Sequence, residues 1–378
     1  MVVTNEAEVV EAVRDARESR RTLEIVGAGT KRAFGRPTHC DDILDVSGLR
    51  GIVTYEPEEL LLTVLPGTPV TEINELLAAN GQRLGFDPGD WGPLLGARAN
   101  SGTIGGAISA DVCGPAAVRY GRARDQLLGY RAVNGFGEAY KAGGKVVKNV
   151  TGFDLPKLMC GAMGTLGALT ELTFRVFPLG ERCEFFSVHR IGAVEGYAML
   201  RRAWSSPVAA TALCYQKGGP SEIVKNISLG SVHIRLEGAQ ADLDEKSRLL
   251  QLCAAPHELL PGDEAAIRVI GSGENLADGL EDVWRVTMPQ AFAQGCPSSL
   301  GDWAGGLHWM KTTPGVDPRP SLAWSQGSAT LVRASAETRK RAQVFPPEEP
   351  ARAALTRAVK AAFDPLGIFN PGRMYKDI

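Results

Sequence analysis

The sequence carries almost no net charge, since 41 Lys and Arg residues face 43 Asp and Glu residues and leave −2 at pH 7. This balance argues against a general nucleic-acid-binding protein, which usually carries a basic excess. Apolar runs such as "LLLTVLPG" are far shorter than the roughly 20 residues of a membrane-spanning helix. Acidic residues interrupt the N-terminal stretch, where a signal peptide needs an apolar core. The sequence therefore predicts a cytoplasmic protein, with any membrane attachment through partners.

Cysteine and histidine are too few and too scattered to suggest a metal centre. The seven cysteines include no CxxC pair, so we expect buried small side chains rather than disulfides, metal ligands or an iron–sulfur cluster. No two of the five histidines stand at metal-ligand spacing; they are His39, His189, His233, His257 and His308. We therefore predict no bound metal.

Glycine is what the sequence has in excess, with 44 of 378 residues against about 7% in an average protein. Three glycine-rich turns lie beside predicted strands: "VGAGTK" at 26–31, "SGTIGG" at 101–106 and "GAMGTLG" at 161–167. Alone, each could be a tight packing turn or a loop whose N–H groups bind an anion. The first lacks the third glycine of a dinucleotide fingerprint, since Arg32 takes its place, and no GxxxxGK[ST] sequence occurs. Together they favour a large ligand that contains a pyrophosphate and a flat ring.

The apolar spacing predicts an α+β protein. It indicates a helix over residues 5–20 and a second helix that begins with Thr68 as N-cap and Pro69 at its first position. Beyond about residue 180 strands alternate with helices, which is typical of a smaller antiparallel α+β domain. A proline-rich linker precedes a C-terminal helix. We predict two domains and a closing segment, at 1–178, 179–344 and 345–378.

Taken in order, these motifs resemble the FAD-binding domain of the vanillyl-alcohol-oxidase, or PCMH, type. In that family a "GxGT/S" loop and a "TIGG" loop hold the FAD pyrophosphate, and a later "TGYDL…GTLG…TE" stretch lines the flavin. The resemblance implies a two-subdomain FAD-binding fold, a smaller antiparallel cap domain, and a C-terminal helix that returns to the flavin. It implies cofactor contacts from Val26, Gly27, Ala28, Gly29, Thr30, Lys31, Pro88, Ser101, Gly102, Thr103, Ile104, Gly105, Gly106, Tyr120, Gly121, Lys148, Thr151, Gly152, Asp154, Gly164, Thr165, Gly167, Leu169, Thr170 and Asn370.

Within this family the stretch "GGKVVKNVTGFDLPKLMCGAMGTLG" is most similar to the smaller FAD-binding subunits of glycolate oxidases. The resemblance implies oxidation of glycolate to glyoxylate by hydride transfer to FAD. It also implies a larger FAD-binding subunit and an iron–sulfur subunit that takes up the electrons. Two other functions stay open: an FAD-carrying structural or electron-transfer subunit without turnover of its own, and a stand-alone D-2-hydroxy acid dehydrogenase of the D-lactate type. Members with covalent flavin carry His where Thr30 and Lys31 stand here, so we expect non-covalent FAD.

The catalytic residues stay unknown from sequence. Oxidation of a 2-hydroxy acid needs a base or metal at the hydroxyl and an Arg fork on the carboxylate. His308 is a weak candidate to face the flavin, and Arg333 and Arg285 are candidates for the carboxylate, although a packed histidine and surface arginines are commoner. Cys113 could carry a flavin thioether, but a buried structural thiol is the more frequent case.

Overall fold

A computed structural model describes residues 1–144, 153–219, 223–224 and 227–378 of the chain. The N-terminal part contains six helices among the described residues: α1 (Glu6–Glu18), α2 (Val70–Ala79), α3 (Ile104–Ser109), α4 (Ala117–Tyr120), α5 (Ala123–Gln126) and α6 (Leu155–Met159). Its strands are β1 (Leu23–Val26), β2 (Asp42–Asp45), β3 (Ile52–Glu56), β4 (Leu61–Val64), β5 (Gln82–Arg83), β6 (Leu127–Val133), β7 (Ala139–Gly143), β8 (Ala168–Arg175) and β9 (Phe177–Pro178).

Two sheets organise this part of the chain. Strands β1 and β2 form a parallel pair, and an antiparallel five-stranded sheet has the order β3-β4-β8-β6-β7. The buried face of the larger sheet contributes Leu62, Tyr130, Leu172 and Phe174 to the core. A separate core beneath the parallel pair includes Val9 of α1.

The following part is built on a nine-stranded sheet. Its elements are β10 (Arg182–Gly192), α7 (Ala193–Trp204), β11 (Ala212–Lys217), β12 (Ile223–Val224), β13 (Ile227–Gly238), α8 (Gln240–Ala254), β14 (Leu260–Pro261), α9 (Glu264–Ser272), β15 (Asp282–Thr287), β16 (Leu300–Asp302), β17 (Leu307–Thr312), α10 (Arg319–Leu322), β18 (Ser328–Arg333) and α11 (Ala336–Arg341). The antiparallel order is β14-β10-β13-β11-β16-β17-β15-β18, with β12 paired to β13.

One face of the nine-stranded sheet packs against the N-terminal part. Leu300 and Trp309 from the sheet share a core with Phe34 and Trp91, and the Trp91 and Trp309 rings lie 5.6 Å apart. The opposite face buries Tyr197 and Leu200 of α7. Ligands that bind beside this contact are therefore within reach of side chains from both parts of the chain.

The C-terminal segment returns to the N-terminal part. Helix α12 (Pro350–Phe363) ends before Ile368, whose carbonyl accepts a 2.7 Å hydrogen bond from the Leu23 amide of β1. Phe369 is fully buried in the core beneath β1. The end of the chain thus becomes an additional partner of the first strand.

The mixed α+β class and the antiparallel sheets predicted from sequence are confirmed. The predicted N-cap at Thr68 is wrong, because α2 begins at Val70 with Pro69 as its cap. The Thr68 hydroxyl instead donates to the Leu65 carbonyl at 2.7 Å and accepts from the Gly51 amide at 2.9 Å. Within the described residues, no helix is both long enough and apolar enough to span a membrane.

Candidate functional site

Three glycine-rich loops and the C-terminal segment line one cleft in the N-terminal part of the chain. The cleft encloses about 800 Å³ of empty space, part of it open to solvent. The first loop follows β1, the second leads into α3 and the third precedes β8. The predicted cofactor residues that line it are Val26, Gly27, Ala28, Gly29, Thr30, Lys31, Thr103, Gly105, Gly106, Gly164, Gly167, Leu169 and Asn370.

Close contact between backbone segments explains two of these glycines. A Cβ on Gly27 would lie 2.7 Å from Thr103 Oγ1, so the first and second loops approach each other too closely for a side chain. A Cβ on Gly105 would lie 2.6 Å from Pro66 Cβ. Glycine at these positions therefore brings the walls of the cleft together.

Backbone N–H groups in the first two loops remain available to a ligand. Among the described residues, the amides of Thr30, Lys31 and Gly102 have no protein acceptor. The amides of Gly105 and Gly106 are already used, since they donate to the Pro66 carbonyl at 2.8 Å and to Thr103 Oγ1 at 3.3 Å. The expectation that the "TIGG" loop holds the pyrophosphate therefore needs correction at these two amides, which are used by the local fold.

Lys31 places a positive charge in the same cleft. Among the described residues its ammonium forms no ion pair with a carboxylate, and it donates one hydrogen bond, to Thr30 Oγ1 at 3.3 Å. A Cβ on Gly102 would lie 3.4 Å from Lys31 Nζ, so the charge faces the second loop. Burial lowers the pKa of this ammonium to about 8, against a smaller opposing effect of Asp90. A cation without a counter-ion among free N–H donors fits the pyrophosphate of a dinucleotide such as FAD.

Asn370 joins two walls of the cleft. Its side-chain oxygen accepts from the Ile25 amide of β1 at 3.1 Å, and its Nδ2 donates to the Met163 carbonyl of the third loop at 2.8 Å. The residue is buried and lines the cleft. Both polar ends of the amide are thus used to fix the loops in place.

Arg373 is a cleft residue that sequence reasoning missed. Its Nη2 donates to the carbonyls of Lys31 and Arg32 at 3.1 and 3.0 Å, which fixes the path of the first loop. Burial lowers the pKa of its guanidinium to about 10. Arg373 follows Asn370 in the stretch "NPGRM" at 370–374, and a charge directly after this Asn-Pro-Gly turn was the signal available in the sequence.

Several residues predicted to contact the cofactor lie elsewhere. Thr170 is buried and donates to Glu6 Oε2 at 2.7 Å, on the side of the sheet that faces α1. Thr165 donates to the Ala162 carbonyl at 2.7 Å. The Tyr120 ring packs on Phe177, with centroids 4.9 Å apart. These side chains support the surrounding fold.

Other predicted residues are not among those that line the cleft: Pro88, Ser101, Gly102, Ile104, Gly121 and Asp154. Of these, Gly102 borders it through Lys31, while Asp154 forms an exposed ion pair with Lys157. Three further predicted residues lie outside the described part of the chain, namely Lys148, Thr151 and Gly152.

His308 and Arg333, the weak catalytic candidates from sequence, both form hydrogen bonds that stabilise the fold. His308 is fully buried, with its Nε2 hydrogen-bonded to the Gly305 carbonyl at 2.9 Å and its Nδ1 to Ser298 Oγ at 3.0 Å. Burial lowers the pKa of His308 to about 4. Arg333 donates to the Gly279 carbonyl at 2.9 Å. Neither side chain lines the cleft, so the packed-core interpretation of His308 is favoured over the catalytic one.

Cys113 has the surroundings of an inert thiol. It is buried, and its sulfur accepts a 3.3 Å hydrogen bond from the Ala123 amide. Burial and the nearby Asp111 carboxylate raise the pKa of this thiol to about 12. A thiolate is the reactive form, so this environment does not favour a thioether to flavin.

Strand pairing brings two histidines together that lie far apart in sequence. The rings of His189 and His233 are 6.2 Å apart between centroids, and His189 contacts Ser187 Oγ and Ser231 Oγ at 3.0 and 2.9 Å. In the described ranges no group of three or more His, Cys, Asp or Glu side chains could hold a metal ion.

Comparison with known proteins gives the following matches. The family model for the FAD binding domain matches residues 1–143. The chain is 31% identical to glycolate oxidase subunit GlcE of Escherichia coli K12, over 98% of this chain and 97% of that protein. It is 32% identical to mitochondrial D-lactate dehydrogenase [cytochrome] of Arabidopsis thaliana, over 35% of this chain and 22% of that protein. The structure of alkyldihydroxyacetonephosphate synthase superposes with a TM-score of 0.70 at 15% identity, covering 98% of this chain and 76% of that one.

Proposed function

This chain belongs to the PCMH-type FAD-binding family of flavoproteins, and we propose from this that it oxidises a small 2-hydroxy acid, glycolate, as a subunit of a glycolate oxidase. FAD is its cofactor. The observation that carries the proposal is the full-length similarity to a glycolate oxidase subunit, together with a cleft built from the three glycine-rich loops. When bound, FAD supplies the two-electron acceptor for such an oxidation.

The residues of the cleft have distinct tasks in this proposal. Lys31 and the free amides of the first loop hold the pyrophosphate. Asn370 and Arg373 keep that loop in shape, since both are hydrogen-bonded to its backbone or to the strand before it. The cofactor is held without a covalent bond, because Thr30 and Lys31 stand at the end of the first loop and Cys113 has a raised thiol pKa.

The proposed complex contains a larger FAD-binding subunit and an iron–sulfur subunit. All seven cysteines of this chain are free thiols at scattered positions, so an iron–sulfur centre that accepts the electrons belongs to a partner. The assembly is cytoplasmic, or peripheral to the inner membrane through those partners. Copurification of an iron–sulfur protein with the tagged chain is the corresponding test, and it separates this function from a stand-alone D-lactate-type dehydrogenase.

A second candidate function is an FAD-carrying electron-transfer or structural subunit. The buried position of His308 and the backbone contacts of Arg333 favour it, because neither predicted catalytic side chain faces the cleft. Anaerobic addition of glycolate to the purified FAD-loaded chain distinguishes the two. Bleaching of the flavin absorbance supports turnover by this chain. An unchanged spectrum, with normal reduction by dithionite, assigns turnover to another subunit.

A further inference from the structure

A cluster of partly buried charged side chains begins where the cofactor cleft ends. Ala110 is a lining residue of the cleft, and the next residue, Asp111, forms an ion pair with Arg122. Arg285 of the nine-stranded sheet lies near this pair, since the charges of Asp111 and Arg122, and also that of Asp302, act on its guanidinium. The cluster therefore lies at the contact between the two parts of the chain.

Strand pairing orients Arg285 toward this contact. Arg285 pairs with Trp309, and Trp309 pairs with Leu300 on the next strand. Residues directly opposite one another in a sheet share a face, and Trp309 and Leu300 pack against the N-terminal part. Arg285 thus projects from the face that packs against the N-terminal part.

Trp303 fixes the arginine from one side. The Arg285 guanidinium lies over the Trp303 ring, 5.1 Å from its centroid. The indole Nε1 of Trp303 donates a 3.0 Å hydrogen bond to the Gly114 carbonyl, across the contact between the two parts. This stacking fixes the orientation of the guanidinium plane and leaves the Nε and Nη2 edge of the group free for hydrogen bonds.

That edge has no partner among the described residues. Arg285 Nε and Nη2 are both buried and lack an acceptor, and so does Arg122 Nε. Burial is the main cause that lowers the pKa of the Arg285 guanidinium. Buried N–H groups without an acceptor cost stability and need an explanation. Single unpaired Nε groups also occur at Arg83 and Arg339, but among the described arginines only Arg285 has two on one edge.

We propose that Arg285 binds the carboxylate of the 2-hydroxy acid, with Arg122 beside it, at the end of the cofactor cleft. This inference rests on the proposed function for the identity of the acid. The two unpaired groups, Nε–H and Nη2–H, form the side of the guanidinium that matches the two oxygens of a carboxylate. Asp111 and Asp302 both act on the charge of Arg285, but neither accepts a hydrogen bond from Nε–H or Nη2–H, and an incoming carboxylate supplies the two missing acceptors.

Oxalate is a suitable probe, because it carries carboxylates and has no C–H bond to oxidise. Calorimetric titration of the FAD-loaded chain is expected to show oxalate binding that weakens at least 10-fold in Arg285→Met. Arg285→Lys keeps the positive charge but lacks the two parallel N–H donors of the guanidinium, and we expect a loss of oxalate affinity of similar size. The matched control is Arg333→Met, since Arg333 lies on the neighbouring strand β18 and donates to the carbonyls of Gly279 and Glu281. This variant should bind oxalate like the wild type.

Arg285→Lys gives the decisive measurement if Arg285→Met does not fold. Absence of oxalate binding to the wild type overturns the proposal, as does equal binding by Arg285→Lys. A change in the flavin spectrum of Arg285→Lys with unchanged oxalate binding also overturns it, since the arginine would then serve the flavin. Failure of the proposed function is separable: oxalate binding through Arg285 without bleaching by glycolate leaves the carboxylate site in place and removes turnover from this chain.

Discussion

Asn370 and Gly164 meet at the wall of the cleft, where a Cβ on Gly164 would lie 2.6 Å from the Asn370 side-chain nitrogen. Both residues have left-handed backbone, with φ of 42° at Asn370 and 68° at Gly164. The asparagine can reach Met163 and Ile25 at once because the glycine leaves it room. The C-terminal segment is therefore a working part of the cofactor cleft rather than a tail.

Gly164→Ala is expected to reduce the FAD content of the purified protein several-fold. The new methyl group meets Asn370, and the left-handed conformation adds a cost of about 1 kcal/mol for a residue with a Cβ. Gly144→Ala is the control, since a Cβ there would lie more than 4 Å from every atom of the described residues. The flavin-to-protein absorbance ratio measures the effect, and equal ratios for both variants would contradict the role given to the Gly164–Asn370 contact.

FAD affinity is expected to depend on pH through Lys31. The apo pKa of this ammonium is lowered to about 8, and a bound pyrophosphate raises it again. Affinity should therefore be constant below pH 8 and fall above it, by up to tenfold for each pH unit. Fluorescence titration with FAD between pH 7 and 9.5 measures the dependence, which Lys31→Met should abolish and Lys157→Met should preserve.

The same lysine is expected to destabilise the apo protein. Lowering its pKa from 10.5 to about 8 corresponds to at most about 3 kcal/mol of unfolding free energy. Lys31→Met removes this cost at pH 7, so the apo variant should have a higher melting temperature while it binds FAD more weakly. A lower melting temperature of the apo variant would argue that Lys31 has a stabilising partner in the fold.

The glycine-rich loops were predictable from sequence because their requirements are local. A tight turn beside a strand often requires glycine because of its own backbone conformation, whatever residues pack around the turn. The hydrogen-bond partners of Arg373 and His308 were not predictable, since they come from residues that only the fold brings near. The Lys31 carbonyl lies far along the chain from Arg373, and Ser298 reaches His308 through the pairing of β16 with β17.

Alanine substitutions at the neighbouring residues Gly105 and Gly106 are expected to lower the melting temperature of the apo protein by different amounts. A Cβ on Gly105 would overlap Pro66, whereas one on Gly106 would lie 3.3 Å from Thr103 Oγ1 and 3.8 Å from Lys31 Nζ. Gly105→Ala should lower the melting temperature of the apo protein, and Gly106→Ala should lower it less. Thermal unfolding of the two variants without FAD makes the comparison. Equal shifts of the melting temperature would show that Pro66 can move away from a Cβ at position 105 at little cost in stability.

Denaturation of the protein should release FAD as the unmodified, free cofactor. We expect acid precipitation to release all flavin into the supernatant, in the wild type and in Cys113→Ser alike, because the Cys113 thiol is held protonated by burial. Yellow colour that stays with the pellet of the wild type, and not with that of Cys113→Ser, would show a thioether at this residue.

Asp302 is expected to make stability fall as pH rises from about 4 to 7. Burial raises the pKa of this carboxyl from 3.8 to about 6. The folded state therefore holds the proton more tightly than the unfolded state, and ionisation costs stability that is fully lost above pH 6. The shift corresponds to about 3 kcal/mol.

Asp302→Asn tests this pH dependence while keeping an acceptor for the Trp303 amide, which donates to Asp302 Oδ1 at 2.7 Å. In urea unfolding at a fixed FAD concentration, the free energy of unfolding of the variant should rise relative to that of the wild type between pH 4.5 and 7.5. Asp244→Asn, an exposed position on α8, should leave the dependence unchanged. A constant difference between Asp302→Asn and the wild type across this range would mean that a cation neutralises Asp302, and Arg285, whose charge acts on Asp302 from the same face of the sheet, is the candidate.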